Sequence, residues 1–349
     1  MLVISPYPSI IAILIAYLIA VLLSKFDKNN NYQINHAFPS IDGLRGYLAF
    51  AVFLHHGVIW YYYLRTGKWA IPPSNLYANF GRDGVSLFFM ITGLLFGRKI
   101  LDGREREIDW FRLYIGRFFR LFPLYLMAVS ILFFIVAFMS KFNLNEPLYT
   151  ITIKVLRWIM FAALGNSANI NEIKDTGLIF AGVTWTLTYE WFFYFSLPVI
   201  GIFFGAKSRW YYFLCSMLAV ATCFWWKPEI YYILTFILGI FASYLSKMKN
   251  IQKFARAKIS SILAIGSLLG IITLNNSAKA LIGLPFLFIF FIIVASGNDL
   301  FGLLRQKASI LLGEISYGIY LLHGILICSS CYCGLRLLKN YQCLNIGRY

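Results

Sequence analysis

The chain has 349 residues, of which 60% are hydrophobic and only 13% are charged. Its mean hydropathy of +0.71 and its repeated apolar runs exclude a soluble globular protein, in which about a quarter of the residues are charged. The net charge of +17 does not indicate nucleic-acid binding, because lysine and arginine collect in the cytoplasmic loops of polytopic membrane proteins.

The hydropathy pattern predicts an all-α fold, a polytopic integral membrane helical bundle of about ten transmembrane helices. The first span is expected to be a retained anchor, because no basic segment precedes it as in a signal peptide. The predicted spans are 7–24, 43–64, 84–100, 120–140, 178–204, 209–226, 229–246, 259–274, 278–296 and 309–331.

The segment 148–165 is ambiguous, because Lys154 and Arg157 lie in its middle. If it does not span and the basic loop 98–120 is cytoplasmic, the basic loop 247–258 is cytoplasmic as well. If it spans, that loop lies outside, against the positive-inside rule. We therefore predict an interfacial or re-entrant helix on the outer face, with both chain termini outside.

The second span contains the stretch SIDGLRGYLAFAVFLHHG, residues 40–57, which places Arg45, His55 and His56 in an apolar helix. Eleven residues turn a helix through about 1100°, so Arg45 and His56 share a face, about 16 Å apart along the axis. Buried ionisable groups indicate a polar path. The alternatives are a snorkelling anchor for Arg45 and a helix-to-helix hydrogen bond for His56. His55 is expected to pack, and Asp42 to cap the helix.

The third span contains GVSLFFMITGLLFG, residues 84–97, in which small residues interrupt bulky ones. This pattern favours close packing against another helix. Asp83 is expected to cap this helix on the outer side. The small residues are Ser86, Thr92, Gly93 and Gly97.

The fourth span begins with RFFRLFPLY, residues 117–125, where Pro123 is expected to kink or restart the helix. Arg117 and Arg120 are three residues apart and share a face at the cytoplasmic end. Paired guanidinium groups suit phosphate, although positive-inside anchoring explains the pair equally well.

Two later spans also contain titratable groups. In TWTLTYEWFFYFSLPV, residues 184–199, Glu190 has no lysine or arginine beside it, so it either hydrogen-bonds another helix or faces His56. In GEISYGIYLLHG, residues 313–324, Tyr317, Tyr320 and His323 precede the end of the helix, and His323 is either structural or functional. Cys328, Cys331 and Cys333 lack further ligands nearby, so no metal site is expected.

These stretches resemble, in the same order, the motifs of the membrane acyltransferase-3 family. Together they cover about residues 38–325, most of the chain. The matching stretches are DGLRGYLAFAVFLHHG (Arg-x10-His), GVSLFFMITGLLFG (Phe-Phe-Ser/Thr-Gly), RFFRLFPLY (Arg-x-x-Arg-x-x-Pro), TWTLTYEWFFYFSLP (Trp-x-Leu-x-x-Glu) and ISYGIYLLHG (Ser-Tyr-x-x-Tyr-Leu-x-His).

The resemblance implies a membrane O-acyltransferase that moves an acyl group, usually acetyl, from cytoplasmic acyl-CoA to a hydroxyl of a cell-surface or lipid-linked carbohydrate. It implies acyl-CoA as the donor substrate, no bound cofactor, and the bacterial inner membrane as the location. The implied partners are the donor, the carbohydrate and the bilayer, with no nucleic acid. The implied site comprises His56, Arg45 and Glu190 as catalytic residues, Arg117 and Arg120 near the donor, and Asp42, Trp185, Tyr317 and His323 as further motif positions.

The resemblance also divides the chain into three parts. Residues 1–37 are an extra N-terminal anchor and a basic loop, and residues 38–331 are the acyltransferase-3-like membrane domain. Residues 332–349 are a short atypical tail where family members continue with another apolar helix, which suggests a truncation.

A membrane transporter or flippase of a glycan or small metabolite is the alternative interpretation. Intramembrane histidine and glutamate suit a proton-coupled carrier as well as an enzyme. Transporters usually contain internal repeats, and the sequence shows none of 20–50 residues.

Overall fold

The computed structural model describes residues 2–26, 38–103, 107–160, 168–274 and 280–346, without the side chains of residues 2, 223–226, 274, 280 and 332–346. The described residues form thirteen α-helices and no β-sheet, which confirms the predicted all-α class. The helices are α1 (Pro6–Phe26), α2 (Pro39–Thr66), α3 (Asn75–Asp102), α4 (Trp110–Met139), α5 (Leu148–Ile159), α6 (Trp185–Phe203), α7 (Trp210–Trp226), α8 (Ile230–Leu245), α9 (Lys249–Ala255), α10 (Lys258–Leu274), α11 (Ala280–Ala295), α12 (Lys307–Glu314) and α13 (Ser316–Ile346).

Length and apolar composition mark α1, α3 and α4 as able to cross a membrane. The bent pairs α8–α9 and α12–α13 would raise the number of such spans in the described part to five. Helices α7, α10 and α11 are apolar but shorter. The number of spans, which the sequence puts at ten, stays a prediction.

Four helices start or end at other residues than the predicted spans, because hydropathy registers neither the polar turns that extend α3, α4 and α13 nor the apolar turn before α6 that is not part of the helix. Helix α3 begins at Asn75, so Asp83 lies inside it and does not cap it. Helix α4 begins at Trp110, where Asp109 accepts a hydrogen bond from the Arg112 backbone N–H, and it continues through Pro123. Helix α6 begins only at Trp185, and α13 runs past residue 331 to Ile346.

The basic connections lie together on one face, here called the inner face. Lys247 beyond α8 forms an ion pair with Asp102 at the end of α3. Arg305 before α12 donates a hydrogen bond to Ser40 at the start of α2, over an Nε–Oγ distance of 3.3 Å. This gathering agrees with the predicted topology, in which these loops are cytoplasmic.

Small residues bring α3 and α8 into close contact, as the third-span pattern predicts. A Cβ atom on Gly93 would collide with the backbone of Phe236, and one on Gly239 would collide with the backbone of Met90. Gly97 packs in the same way against Ser243. Backbones that approach this closely gain dispersion contacts where a membrane supplies no hydrophobic driving force between helices.

Helix α5 is the observed form of the ambiguous segment 148–165, of which residues 161–165 lie outside the described residues. Its twelve residues extend about 18 Å, less than the hydrocarbon core of a bilayer. Lys154 forms an ion pair of 2.7 Å with Glu146 in the preceding loop. The hydrogen bond from Lys154 lowers the pKa of the Glu146 carboxyl.

Candidate active site

A cavity lies between α2, α3, α4, α6 and α13, with about 780 Å³ of empty space that includes open solvent at its mouth. Its charged lining consists of Arg45 from α2, Arg117 and Arg120 from α4, and Glu190 from α6. The structure thus brings together, from three different helices, four of the residues that were predicted for the site. Aliphatic and aromatic side chains of α3 complete the wall, so the charged groups are the polar minority of an otherwise apolar cavity.

The arginines of the cavity are held by contacts on different sides. The Arg117 guanidinium lies 4.9 Å from the centre of the Phe96 ring, a cation–π contact. Arg45 Nη1 lies 3.8 Å from Asp42 Oδ1, one helical turn earlier. Asp42 therefore lies in the first turn of α2 as the partner of Arg45, and the cap position belongs to Phe38, which supplies no side-chain hydrogen bond.

Glu190 is the acidic group of the cavity. The Tyr194 hydroxyl donates a hydrogen bond of 3.0 Å to Glu190 Oε2. The Glu190 carboxylate also interacts electrostatically with Arg45, Arg117 and Arg120. The sequence offered no basic neighbour for Glu190 because its partners come from other helices. Among the described side chains, Glu190 faces these arginines and makes no contact with His56.

Two tyrosines of α13 form the wall toward the opposite face. The Tyr317 hydroxyl donates a hydrogen bond of 3.0 Å to the Leu121 carbonyl oxygen of α4. The Tyr320 hydroxyl lies 2.8 Å from Thr186 Oγ1 of α6. The Tyr320 ring also contacts His323, with ring centres 6.1 Å apart. Tyr320 therefore touches both the cavity and the histidine beyond it.

His56 and His323 form a pair outside the cavity lining. His323 is 2% exposed, and its Nε2 lies 3.0 Å from Nδ1 of His56. His323 Nδ1 lies 3.2 Å from the Ile319 carbonyl oxygen, and His56 Nδ1 lies 3.0 Å from the Val52 carbonyl oxygen. Two predicted residues that are far apart in the sequence therefore share one hydrogen bond.

His55 belongs to a different contact. Its Nδ1 lies 2.7 Å from the Tyr77 carbonyl oxygen of α3, and its ring lies against Gly81. The side chain thus packs α2 against α3, as expected from its direction on the helix.

Arg45 and His56 share a face of α2, but they serve two sub-sites. Arg45 lines the cavity, whereas His56 lies three turns farther along α2 and does not. Trp185 packs beside the cavity against Tyr232, with ring centres 4.8 Å apart, and does not line it.

Sequence reasoning missed two groups of polar residues. Thr186 and Tyr194 line the cavity, and Tyr194 could have been found because it lies one helical turn after Glu190. The second group is the buried ion pair of Arg82 and Asp83 in α3, with an Nε–Oδ1 distance of 3.1 Å. It was missed because the span was predicted to begin only after these two residues.

Within the described residues, no cluster of three or more histidine, cysteine or acidic side chains could hold a metal ion. A comparison with family models matches residues 38–329 to the model described as an acyltransferase domain, the acyltransferase-3 model. No curated protein and no solved structure matches the chain.

Proposed function

Because the chain belongs to the acyltransferase-3 family, a family of membrane acyltransferases, we propose that it moves an acetyl group from cytoplasmic acyl-CoA to a hydroxyl of a cell-surface or lipid-linked carbohydrate. The proposed location is the inner membrane of a bacterium. One observation carries this proposal: a cavity lined by three arginines adjoins, through Tyr320, a pair of hydrogen-bonded histidines.

The cavity suits the donor. Three arginines against one glutamate leave it positively charged, and CoA carries several phosphate groups. Its apolar walls suit the pantetheine arm and the thioester. We assign Arg45, Arg117 and Arg120 to donor binding, and Glu190 with Tyr194 to holding the arginines in place.

The hydrogen bonds of the histidine pair define which nitrogen can act as a base. A carbonyl oxygen only accepts, so Nδ1 of both His323 and His56 must bear a proton. The single His56 Nδ1–H group is then shared between two acceptors, the Val52 carbonyl oxygen and His323 Nε2. The lone pair of His56 is left on Nε2, for which the described residues offer no hydrogen-bond partner. This is the tautomer that a general base requires.

In the proposed reaction, the acceptor hydroxyl oxygen attacks the thioester carbonyl carbon while its proton passes to His56 Nε2. The carbon–sulfur bond then breaks, and the CoA thiolate takes the proton from His56. The new ester and free CoA are the products. Because His56 lies beyond Tyr320 from the cavity, the acyl end of the donor must reach past this tyrosine.

The test uses membranes that contain the full chain and acetyl-CoA labelled in the acetyl group. Wild-type protein should transfer label to a glycan, and H56A should lose transfer while remaining in the membrane. H55N is the matched control, because it removes an adjacent imidazole that only packs, and it should retain transfer. Label that enters sealed vesicles without transfer would contradict the proposal and favour a transporter.

The acceptor is identified by mass spectrometry of the surface glycans of the host. A strain without the gene is complemented with wild type or with H56A. A base-labile acetyl mass that appears only with wild type names the acceptor. Equal glycan profiles with active membranes would exclude a surface carbohydrate.

A further inference from the structure

A second pocket lies on the inner face, outside the cavity just described. It has an empty volume of about 560 Å³ and lies where the start of α2, the end of α3, the end of α9 and the end of α11 meet. Its polar lining is Ser40, Arg98, Ser246, Gln252, Arg256, Ser296 and Arg305.

Unbalanced positive charge is the first observation. Arg305 has one acidic partner, Asp299, at 3.8 Å. Arg98 and Arg256 come from distant parts of the sequence, and neither forms an ion pair with any described residue. An adjoining pocket shares Arg256 and Arg305 and adds Lys258, so the positive region extends along the inner face.

Unpartnered buried polar atoms are the second observation. Ser296 is 4% exposed, yet among the described residues its hydroxyl has no hydrogen-bond partner, and Nε of Arg98 is likewise buried without one. Both residues line this pocket. Buried donors without acceptors are rare in proteins because each loses its hydration without compensation. Both atoms are closed to solvent, so a ligand with acceptor oxygens would satisfy them on a change of side-chain rotamer.

The start of α2 is the third observation. Its cap residue, Phe38, supplies no side-chain hydrogen bond, and Ser40 and Ile41 of its first turn line the pocket. Pro39 has no N–H, so Ser40 and Ile41 supply the free N–H groups of this helix start, and the carboxylate of Asp42 in the same turn is paired with Arg45. Free N–H groups at the start of a long helix favour an anion. The Phe38 ring lies 5.7 Å from the Arg98 guanidinium carbon and helps to hold it over the pocket.

The pocket is close to the donor cavity. Ser40 lies five residues before Arg45 on α2, about 7.5 Å along the axis, and Arg98 lies three residues beyond the cavity residue Leu95, about 4.5 Å. Along both helices the two sites thus lie within two turns of each other, and their linings share no residue.

We propose that this pocket binds the phosphate groups at the nucleotide end of acyl-CoA while the acyl end lies in the cavity. The proposal rests on the proposed function, because it names the part of the donor that this second site holds. A phosphate of a lipid headgroup has the same chemistry, and the experiment separates the two sources.

The experiment measures binding of adenosine 3′,5′-bisphosphate, which has the phosphates of this end but no acyl group. The full-length protein is placed in nanodiscs of phosphatidylcholine, with or without phosphatidylglycerol. R98Q and R256Q should each weaken binding roughly ten- to hundredfold, because each removes a charged hydrogen bond. K253Q, which removes an exposed cation of α9, should bind as wild type does. S296A should also weaken binding, and thermal unfolding without ligand checks that each variant is folded.

Equal binding by wild type, R98Q and R256Q would overturn the proposal. A second result would also overturn it: the bisphosphate does not bind, but phosphatidylglycerol co-purifies with the wild-type protein and not with R98Q or R256Q. The pocket would then hold a lipid headgroup. The outcome is independent of the transfer assay. If the bisphosphate binds but no acetyl group is transferred, the proposed function is wrong and the phosphate site stands. If acetyl transfer occurs but R98Q and R256Q bind the bisphosphate as wild type does, the phosphate site is wrong and the proposed function stands.

Discussion

The arginine cavity and the histidine pair both draw residues from α2 and α13, yet they satisfy polar groups in different ways. In the cavity, the arginines lie around open space and share one glutamate. In the pair, the imidazole nitrogens bond to one another and to backbone carbonyl oxygens. The first arrangement leaves donors free for a ligand, and the second fixes protons in place. Binding and proton transfer are thus expected to respond separately to substitution.

The largest effect is expected at the histidine pair. H323F removes one of the two acceptors of the His56 Nδ1–H group, leaves the Val52 carbonyl oxygen, and should lower kcat roughly 100-fold, the lower end of what a positioned base contributes. H323Q keeps an acceptor oxygen and should recover part of that loss, with an altered pH–rate profile. The KM for acetyl-CoA should change little in both. If H323F and H323Q lower kcat equally, the tautomer argument is wrong.

The next effect is expected in the arginine cavity. R117Q removes a charged donor and should raise the KM for acetyl-CoA roughly tenfold while kcat stays near its wild-type value. R112Q, an exposed arginine of the same helix outside the cavity lining, is the control. A fall in kcat with unchanged KM would show that the two regions are not separate in function.

A smaller effect, on stability alone, is expected at the contact of α3 with α8. G93A forces a methyl group against the Phe236 backbone and should destabilise the protein by about 1–3 kcal/mol. G57A, where a methyl group would meet nothing within 4 Å, should be neutral. Thermal unfolding in detergent provides the measurement. If G93A unfolds at the wild-type temperature but loses acyl transfer, the contact between α3 and α8 has a role in the active site rather than in stability alone.

The smallest effect is expected at the ion pair between Glu146 before α5 and Lys154 in α5, away from both regions. The folded-state pKa of Glu146 is lowered by Lys154, so this ion pair stabilises the protein fully above the usual carboxyl pKa of 4.5. That stabilisation is lost as the pH falls through the lower folded pKa. E146Q should remove on the order of 1 kcal/mol at neutral pH, and correspondingly less in acid. E172Q, an exposed carboxylate in the facing loop, should unfold like wild type at both pH values.

The sequence predicted the kinds of residue in the site better than their contacts. Arg45, Arg117, Arg120 and His323 stood out because charged or titratable groups in apolar helices are costly unless a partner is present. Their partners come from other helices, so periodicity could not show that Glu190 meets the arginines or that His323 meets His56. The predicted starts of α3 and α4 were too late, because polar turns precede the apolar part of each helix, before Asp83 and before Arg117.

The stretch with small residues succeeded for a physical reason. Gly93 and Gly97 were expected to allow close approach, and this depends only on side-chain size, which the sequence states directly. Which helix approaches is a property of the fold, and the structure identifies it as α8.

The contact of α2 with α12 and with the turn that precedes α12 has a consequence for mutational scanning. A methyl group on Gly43 would strike the Leu304 carbonyl oxygen, and one on Gly313 would strike that of Asp42. Because Asp42 and Arg45 lie on the same turn, any side chain at Gly313 displaces the arginine as well. In a library selected only for activity, these glycines would rank with Arg45 as intolerant positions. Measuring the amount of each variant protein in the membrane in parallel would distinguish the two. Substitutions of the glycines should lower that amount, whereas substitutions of Arg45 should lower activity alone.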